Sequence, residues 1–149
     1  MFNHLLVTEA ERSAEETFFS WTGGPSPHLE WHELRCADGT PYPPEFIPRL
    51  VPLVVEFEFV RALLGGKPIR VNSAYRTEEW NRRVGGVKSS QHVQGRALDM
   101  KHRNPKKLLE ACLFRYRNYH QSAIRGLGLY SWGVHMDTRL RDHLARWSA

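Results

Sequence analysis

Cysteine is scarce. The 149 residues hold two, Cys36 and Cys112, too few for a disulfide framework or a four-cysteine zinc site, so both read as buried thiols. Long apolar runs are missing as well, and no stretch approaches the ~18 residues that a membrane span requires. The start, Met1-Phe2-Asn3-His4-Leu5-Leu6-Val7-Thr8-Glu9, has no cationic stretch ahead of an apolar core. It therefore does not read as a secretory leader, and synthesis in a cytoplasm is expected. A strong charge imbalance is absent: 21 Lys and Arg against 16 Asp and Glu leave +5 and a pI near 9.5. Such a field favours polyanions such as nucleic acid or an anionic cell wall. The arginines are scattered from Arg12 to Arg146 without a basic tail, and no helix-turn-helix or zinc-finger spacing accompanies them, so nucleic acid is not an expected partner. What the chain does have, 41% hydrophobic residues in 149, suffices for one core and one domain.

Turn-forming clusters divide the chain. Residues 1–43 are irregular, with Gly23-Gly24-Pro25-Ser26-Pro27 and Pro41-Tyr42-Pro43-Pro44 around the aromatics Phe18, Phe19, Trp21 and Trp31, and read as a wrapping arm. Residues 44–139 form the core of the domain. Apolar residues at 46, 50, 53, 57, 60 and 64 follow helical spacing, and Pro48 and Pro52 place the start of the continuous helix near Pro52, ahead of the stop at Gly65-Gly66. Ile69 to Ser73 reads as a strand. Thr77 before Glu78-Glu79 is a helix cap with acids in the first turn, and Arg96 to Lys101 is a second strand. Asn104-Pro105 opens another helix carrying Leu108, Cys112, Tyr116 and Tyr119 on one face. The glycine-rich stretches 126–130 and 133–137 read as two short strands or one bent ribbon. Leu140, Leu144 and Trp147 align on a helix over 140–149. Helices and strands interleave without a βαβ rhythm, which predicts an α+β domain with a small, mostly antiparallel sheet.

The chemistry-bearing residues concentrate between glycine turns, from Asn72-Ser73-Ala74-Tyr75-Arg76-Thr77 through Asn81 and Gly85-Gly86 to Ser89-Ser90-Gln91-His92-Val93-Gln94-Gly95-Arg96-Ala97-Leu98-Asp99. His92 and Asp99 offer an imidazole and a carboxylate, and His135, on a predicted strand, offers a third ligand. Three protein ligands and an open fourth position are what a catalytic zinc site requires. By residue type alone His102, His120 and His143 are equally eligible, and only the arrangement around His92 and Asp99 separates them.

The segments Ser73-Ala74-Tyr75-Arg76-Thr77, Asn81, Val84-Gly85-Gly86, Ser90-Gln91-His92, Gly95, Ala97 and Asp99, then Gly126-Leu127-Gly128-Leu129-Tyr130 and Val134-His135-Met136-Asp137-Thr138-Arg139, come in a specific order. In that order they resemble the zinc D-Ala-D-Ala carboxypeptidases and their relatives, the Hedgehog-type peptidases that include small phage endolysins and D-Ala-D-Ala dipeptidases. Trp31-His32-Glu33-Leu34-Arg35-Cys36-Ala37-Asp38-Gly39-Thr40-Pro41 is similar to the lead-in of the small members, so the resemblance spans about 30–139. It implies that His92, Asp99 and His135 hold one zinc ion, that Arg76 grips a substrate carboxylate, and that Ser90, with Tyr75 and Tyr130 nearby, contacts the substrate peptide.

One position departs from the pattern. Many relatives place a catalytic acid three residues before the last zinc histidine, where this chain has Trp132. The nearest acid is Asp137, which strand alternation puts on the same face as His135. Asp137 is then either the general base or the acceptor that orients a ligand histidine. The resemblance implies a monomeric zinc peptidase acting through a metal-activated water on peptidoglycan stem-peptide bonds that involve D-alanine. It would be phage-encoded or virion-associated and would act on the cell wall. The alternative is a non-catalytic zinc-binding wall or phage module of the same fold, which the tryptophan motivates.

Overall fold

A computed structural model describes residues 24–149; Phe18, Phe19 and Trp21 of the expected aromatic cluster lie outside them. In chain order the elements are α1 (Trp31–Leu34), a 3-10 turn (Pro44–Phe46), α2 (Ile47–Leu63), β1 (Arg70–Ser73), α3 (Glu78–Arg83), β2 (Ala97–Lys101), α4 (Pro105–Asn118), β3 (Gly126–Tyr130), β4 (Gly133–Asp137) and β5 (Ala145–Ser148). The five strands form one sheet in the order β1-β2-β4-β3-β5. All neighbours are antiparallel except β3 and β5, so the expected α+β fold with a mostly antiparallel sheet is the one observed.

Alternation along β2 and β4 gives the sheet two different faces. Leu98, Met100, Val134 and Met136, with Leu127 of β3, pack into the core with Leu53, Phe57, Leu108 and Cys112 of α2 and α4. The intervening residues, Asp99, His135 and Asp137, therefore project from the opposite face. Register then sets them side by side, because Asp99 pairs with His135 across β2 and β4. Glycines on β3 make room there: a side-chain carbon at Gly126 would collide with the Asp137 carboxylate, and one at Gly128 with the Trp147 indole.

The caps follow the sequence. Thr77 Oγ1 accepts from the Trp80 amide at 3.0 Å at the start of α3, and Asn104 Oδ1 accepts from the Lys107 amide at 3.2 Å at the start of α4. Two boundaries differ from expectation. Helix α2 starts at Ile47, with Pro48 in its first turn and Pro52 inside it. A proline so near the start removes a single backbone hydrogen bond, and burial of Leu50, Leu53, Val54 and Phe57 on the core side offsets that loss. The tail is a strand, not a helix: Gly126 to Leu129 pair in parallel with Ala145 to Ser148. Leu140 is 82% exposed, so the apparent apolar stripe is not a packing face, and the exposed edge of β3 captures the segment instead.

The arm, expected to be irregular, contains the short α1. It is anchored through buried Leu29, Leu34 and Tyr42, and the Tyr75 amide donates to Leu34 O at 3.1 Å. Buried Glu58 of α2 accepts from Ser26 Oγ at 2.5 Å and lies 2.6 Å from His28 Nδ1. Behind the core, Glu56 of α2 receives a two-pronged bond from Arg115 of α4, both prongs at 2.9 Å, and a third bond from Ser122 Oγ at 2.8 Å. Cys36 and Cys112 are both free and buried.

Candidate metal centre

His92 sits on the turn that leads into β2. Its ring Nδ1–H donates to the carbonyl of Ala74 at 2.6 Å, which fixes the tautomer and leaves Nε2 facing the sheet, 3.2 Å from Asp99 Oδ1. His135 approaches the same oxygen from β4, with Nδ1 at 3.0 Å, while its Nε2–H donates to Asp137 Oδ2 at 2.7 Å. The two rings stand edge-on, 5.1 Å apart. One ligand atom from each of His92, Asp99 and His135 lies within 4.8 Å of the others, a group that could hold a metal ion. Two imidazole nitrogens and one carboxylate oxygen, with the far nitrogen of each ring held by an acceptor, are a donor set that fits zinc with a position left open.

Electrostatics reinforces the arrangement. Burial works against the charge on Asp99, but hydrogen bonds from His135 and His92 outweigh it and hold the carboxyl well below the usual carboxylate range. Burial also opposes the charge on Asp137, yet bonds from Arg139 and then His135 leave its pKa at about 2. For His135, burial alone would lower the pKa; the bonds to Asp137 and Asp99 reverse the sign and raise it.

Asp137 is 0% exposed. Its Oδ1 accepts from the Arg139 amide at 3.1 Å and from Arg139 Nε at 2.8 Å, and its Oδ2 accepts from Arg139 Nη2 at 2.6 Å as well as from His135. The carboxylate stands behind the imidazole and does not line the cleft in front of it.

That cleft, of about 450 Å³, is bordered by Arg76, Ser90, Tyr130, Trp132, Arg139 and Trp147. Arg76 Nε donates to Ser73 Oγ and Nη1 to Asn81 Oδ1, each at 3.3 Å, and Nη2 lies 3.6 Å from Asp99 Oδ2. Ser90 Oγ accepts from the His92 amide at 3.2 Å. Trp132 stacks on Tyr130 with ring centroids 4.9 Å apart, and the Tyr130 hydroxyl accepts from Trp147 Nε1 at 2.9 Å. Among the described residues the only acid bordering the cleft is Asp99.

The sequence thus places Arg76, Ser90, Tyr130 and the His92-Asp99-His135 group together. Tyr75, expected beside the substrate, is elsewhere: its ring packs edge-on against Tyr42 and Phe46, 6.1 Å from each, and it borders no part of the cleft. His102 faces Asn104 at the other end of β2, and His120 and His143 are likewise outside the metal-binding group. Two contributors were not assigned a role from sequence, Arg139 and Trp147. For Arg139 a signal existed, since Asp137 and Arg139 two apart on extended backbone fall on one face. Trp147 gave none, because its segment reads as a helix.

A histidine on the turn before β2, an aspartate on β2 and a histidine on β4, open to a cleft on one side, form a group that could hold a metal ion. The family follows: a Peptidase M15 profile matches residues 27–137, most of the chain, and the chain belongs to that family of zinc-dependent metallopeptidases. A search of curated proteins finds no match.

Proposed function

We propose that the chain hydrolyses D-alanine-containing amide bonds of peptidoglycan stem peptides, with one zinc ion held by His92 Nε2, Asp99 and His135 Nδ1. The convergence of those atoms beside a positioned arginine carries the reading. Bound there, zinc supplies the Lewis acidity that peptide hydrolysis at neutral pH requires. The protein's own side chains do the rest. Arg76, positioned by the neutral acceptors Ser73 and Asn81 and only loosely paired with Asp99 at 3.6 Å, grips a substrate carboxylate and places the scissile carbonyl near His92 and His135. Ser90, on the cleft wall, offers a hydroxyl to the peptide backbone. Tyr130 already accepts from Trp147, so its own O–H is free to donate to the developing oxyanion.

Asp137 serves in this reading to orient His135, not to act as base, since both of its oxygens are engaged away from the cleft. We place the work of the enzyme at the cell wall. The test is release of D-alanine or of new amino groups from purified peptidoglycan and from a synthetic stem pentapeptide, by chelator-stripped and by zinc-restored protein. Zinc-dependent release supports the reading. One observation favours a second reading: with Trp132 in the acid's position and Asp99 the sole cleft acid among the described residues, a non-catalytic zinc module would bind the peptide and release nothing.

A further inference from the structure

Beside the metal cleft runs a second groove, of about 530 Å³, lined by Arg49, Arg96, Arg125, Arg139 and Arg141. The topology collects them. Arg96 precedes β2, Arg125 precedes β3 and Arg139 follows β4, and the pairings Ala97 with Asp137 and Gly126 with Asp137 bring these three strand ends together at one end of the sheet. The Arg125 amide donates to Asp137 O at 2.9 Å and the Thr138 amide to Arg96 O at 3.0 Å, which ties these strand ends together. Arg49 descends from the first turn of α2, its guanidinium seated on the Phe46 ring at 4.0 Å.

Among the described residues, one carboxylate answers these five guanidinium groups: Asp137, which is bound to Arg139. Arg49 and Arg125 donate to neutral oxygens, of Gln94 and of Ser122 and Ile124 respectively, which positions their charges without cancelling them. No hydrogen bond of the Arg96 or Arg141 side chain is found among the described residues, and burial of Arg96, then the nearby charge of Arg49, disfavour its charged form. Unneutralised like charges gathered in one groove are unfavourable for the isolated fold and become favourable when an anion enters.

We propose that this groove binds the phosphates of a polyol-phosphate polymer of the cell wall and holds the enzyme on its substrate. Guanidinium forks match phosphate oxygens in pairs, and several arginines along a groove of about 530 Å³ suit consecutive phosphates better than a single carboxylate. A nucleic acid fits less well, because single-stranded binding uses aromatic stacking platforms and the rest of this wall is proline, alanine, threonine and leucine. Arg139 borders both the groove and the metal cleft, so a polymer bound here lies next to the peptide being processed. The choice of a wall polymer rests on the peptidoglycan reading; the anion site itself does not.

The test titrates full-length protein with a short poly(glycerol phosphate), with inorganic phosphate, and with a DNA oligonucleotide of equal phosphate count. The double variant Arg96→Gln/Arg141→Gln serves as probe and Lys67→Gln/Lys107→Gln, at a distance, as a control of equal charge. The groove variant is expected to weaken polymer binding ~10-fold or more and to flatten its salt dependence by about two counterions, with small-peptide turnover unchanged and a melting temperature that is not lowered, since two mutually repelling charges are gone. An equal loss in the control variant would show that net charge acts rather than the groove, and would overturn the proposal. Inorganic phosphate binding as tightly as the polymer, or DNA binding as tightly, would also overturn it. Groove-dependent polymer binding without zinc-dependent turnover leaves the site standing and removes the peptidase reading; turnover without groove-dependent binding does the reverse.

Discussion

The hydrogen bond from His135 Nε2 to Asp137, 2.7 Å long, decides which nitrogen of that ring is left for a metal. Asp137→Asn keeps the shape and removes the charge that stabilises the tautomer. Zinc affinity is expected to fall ~10–100-fold, read by competition with a chromogenic chelator, and excess zinc should restore part of the activity. Loss of turnover at full zinc occupancy would instead return the residue to the role of base. Arg76 is tested separately. Its hydrogen bonds are long, 3.3 Å each, so Arg76→Ala should leave the melting temperature nearly unchanged while kcat/KM falls ~10²-fold or more through lost positioning. A large drop in stability with intact turnover would show that the side chain is structural. At this scale the ligands were readable because their residue types and order are unusual together. The Asp137 role was not, since alternation gives the face of a residue but not whether its oxygens point to solvent or to a neighbouring arginine.

Elements show the same division. Caps at Thr77 and Asn104 and the alternation of β2 and β4 were visible because each depends on residues within a few positions. The tail strand was not, because Leu140, Leu144 and Trp147 satisfy helical spacing equally well and only the vacant edge of β3 decides the outcome. Gly126 and Gly128 read from sequence as part of a glycine-rich strand, and the structure shows what lies against them: the Asp137 carboxylate and the Trp147 indole. Each substitution to alanine should cost ~1–3 kcal/mol by overpacking, measured by denaturant unfolding. The two should separate in a second measurement. Gly126→Ala displaces the partner of His135 and should lower zinc affinity, whereas Gly128→Ala should chiefly release Trp147, seen as a change in tryptophan fluorescence, and loosen β5. Equal zinc affinities in the two variants would deny Asp137 its influence on the metal.

At the scale of the whole molecule, the metal site joins parts of the chain that are distant in sequence, since His92, Asp99 and His135 come from a turn and two strands of the sheet. A ligand that needs all three binds the folded chain and not the unfolded one. Zinc at 100 times its dissociation constant should therefore add about 2.7 kcal/mol of stability, which for a chain of this size corresponds to a rise of roughly 5–11 °C in melting temperature. The pH dependence has a definite sign. Without metal, the His135 pKa is raised above 6.5 by Asp137 and Asp99, against burial, so its contribution to stability is full below 6.5 and is lost as pH rises through the raised value. Zinc requires the deprotonated ring. The zinc-induced rise should therefore shrink as pH falls through that same value and grow above it, while the metal-free protein trends the opposite way with respect to His135. Scanning calorimetry across pH 5–8, with and without zinc, follows both. His135→Ala should abolish the rise and His102→Ala should leave it intact, because His102 lies with Asn104 at the far end of β2. A rise that survives His135→Ala would place the metal elsewhere in the chain.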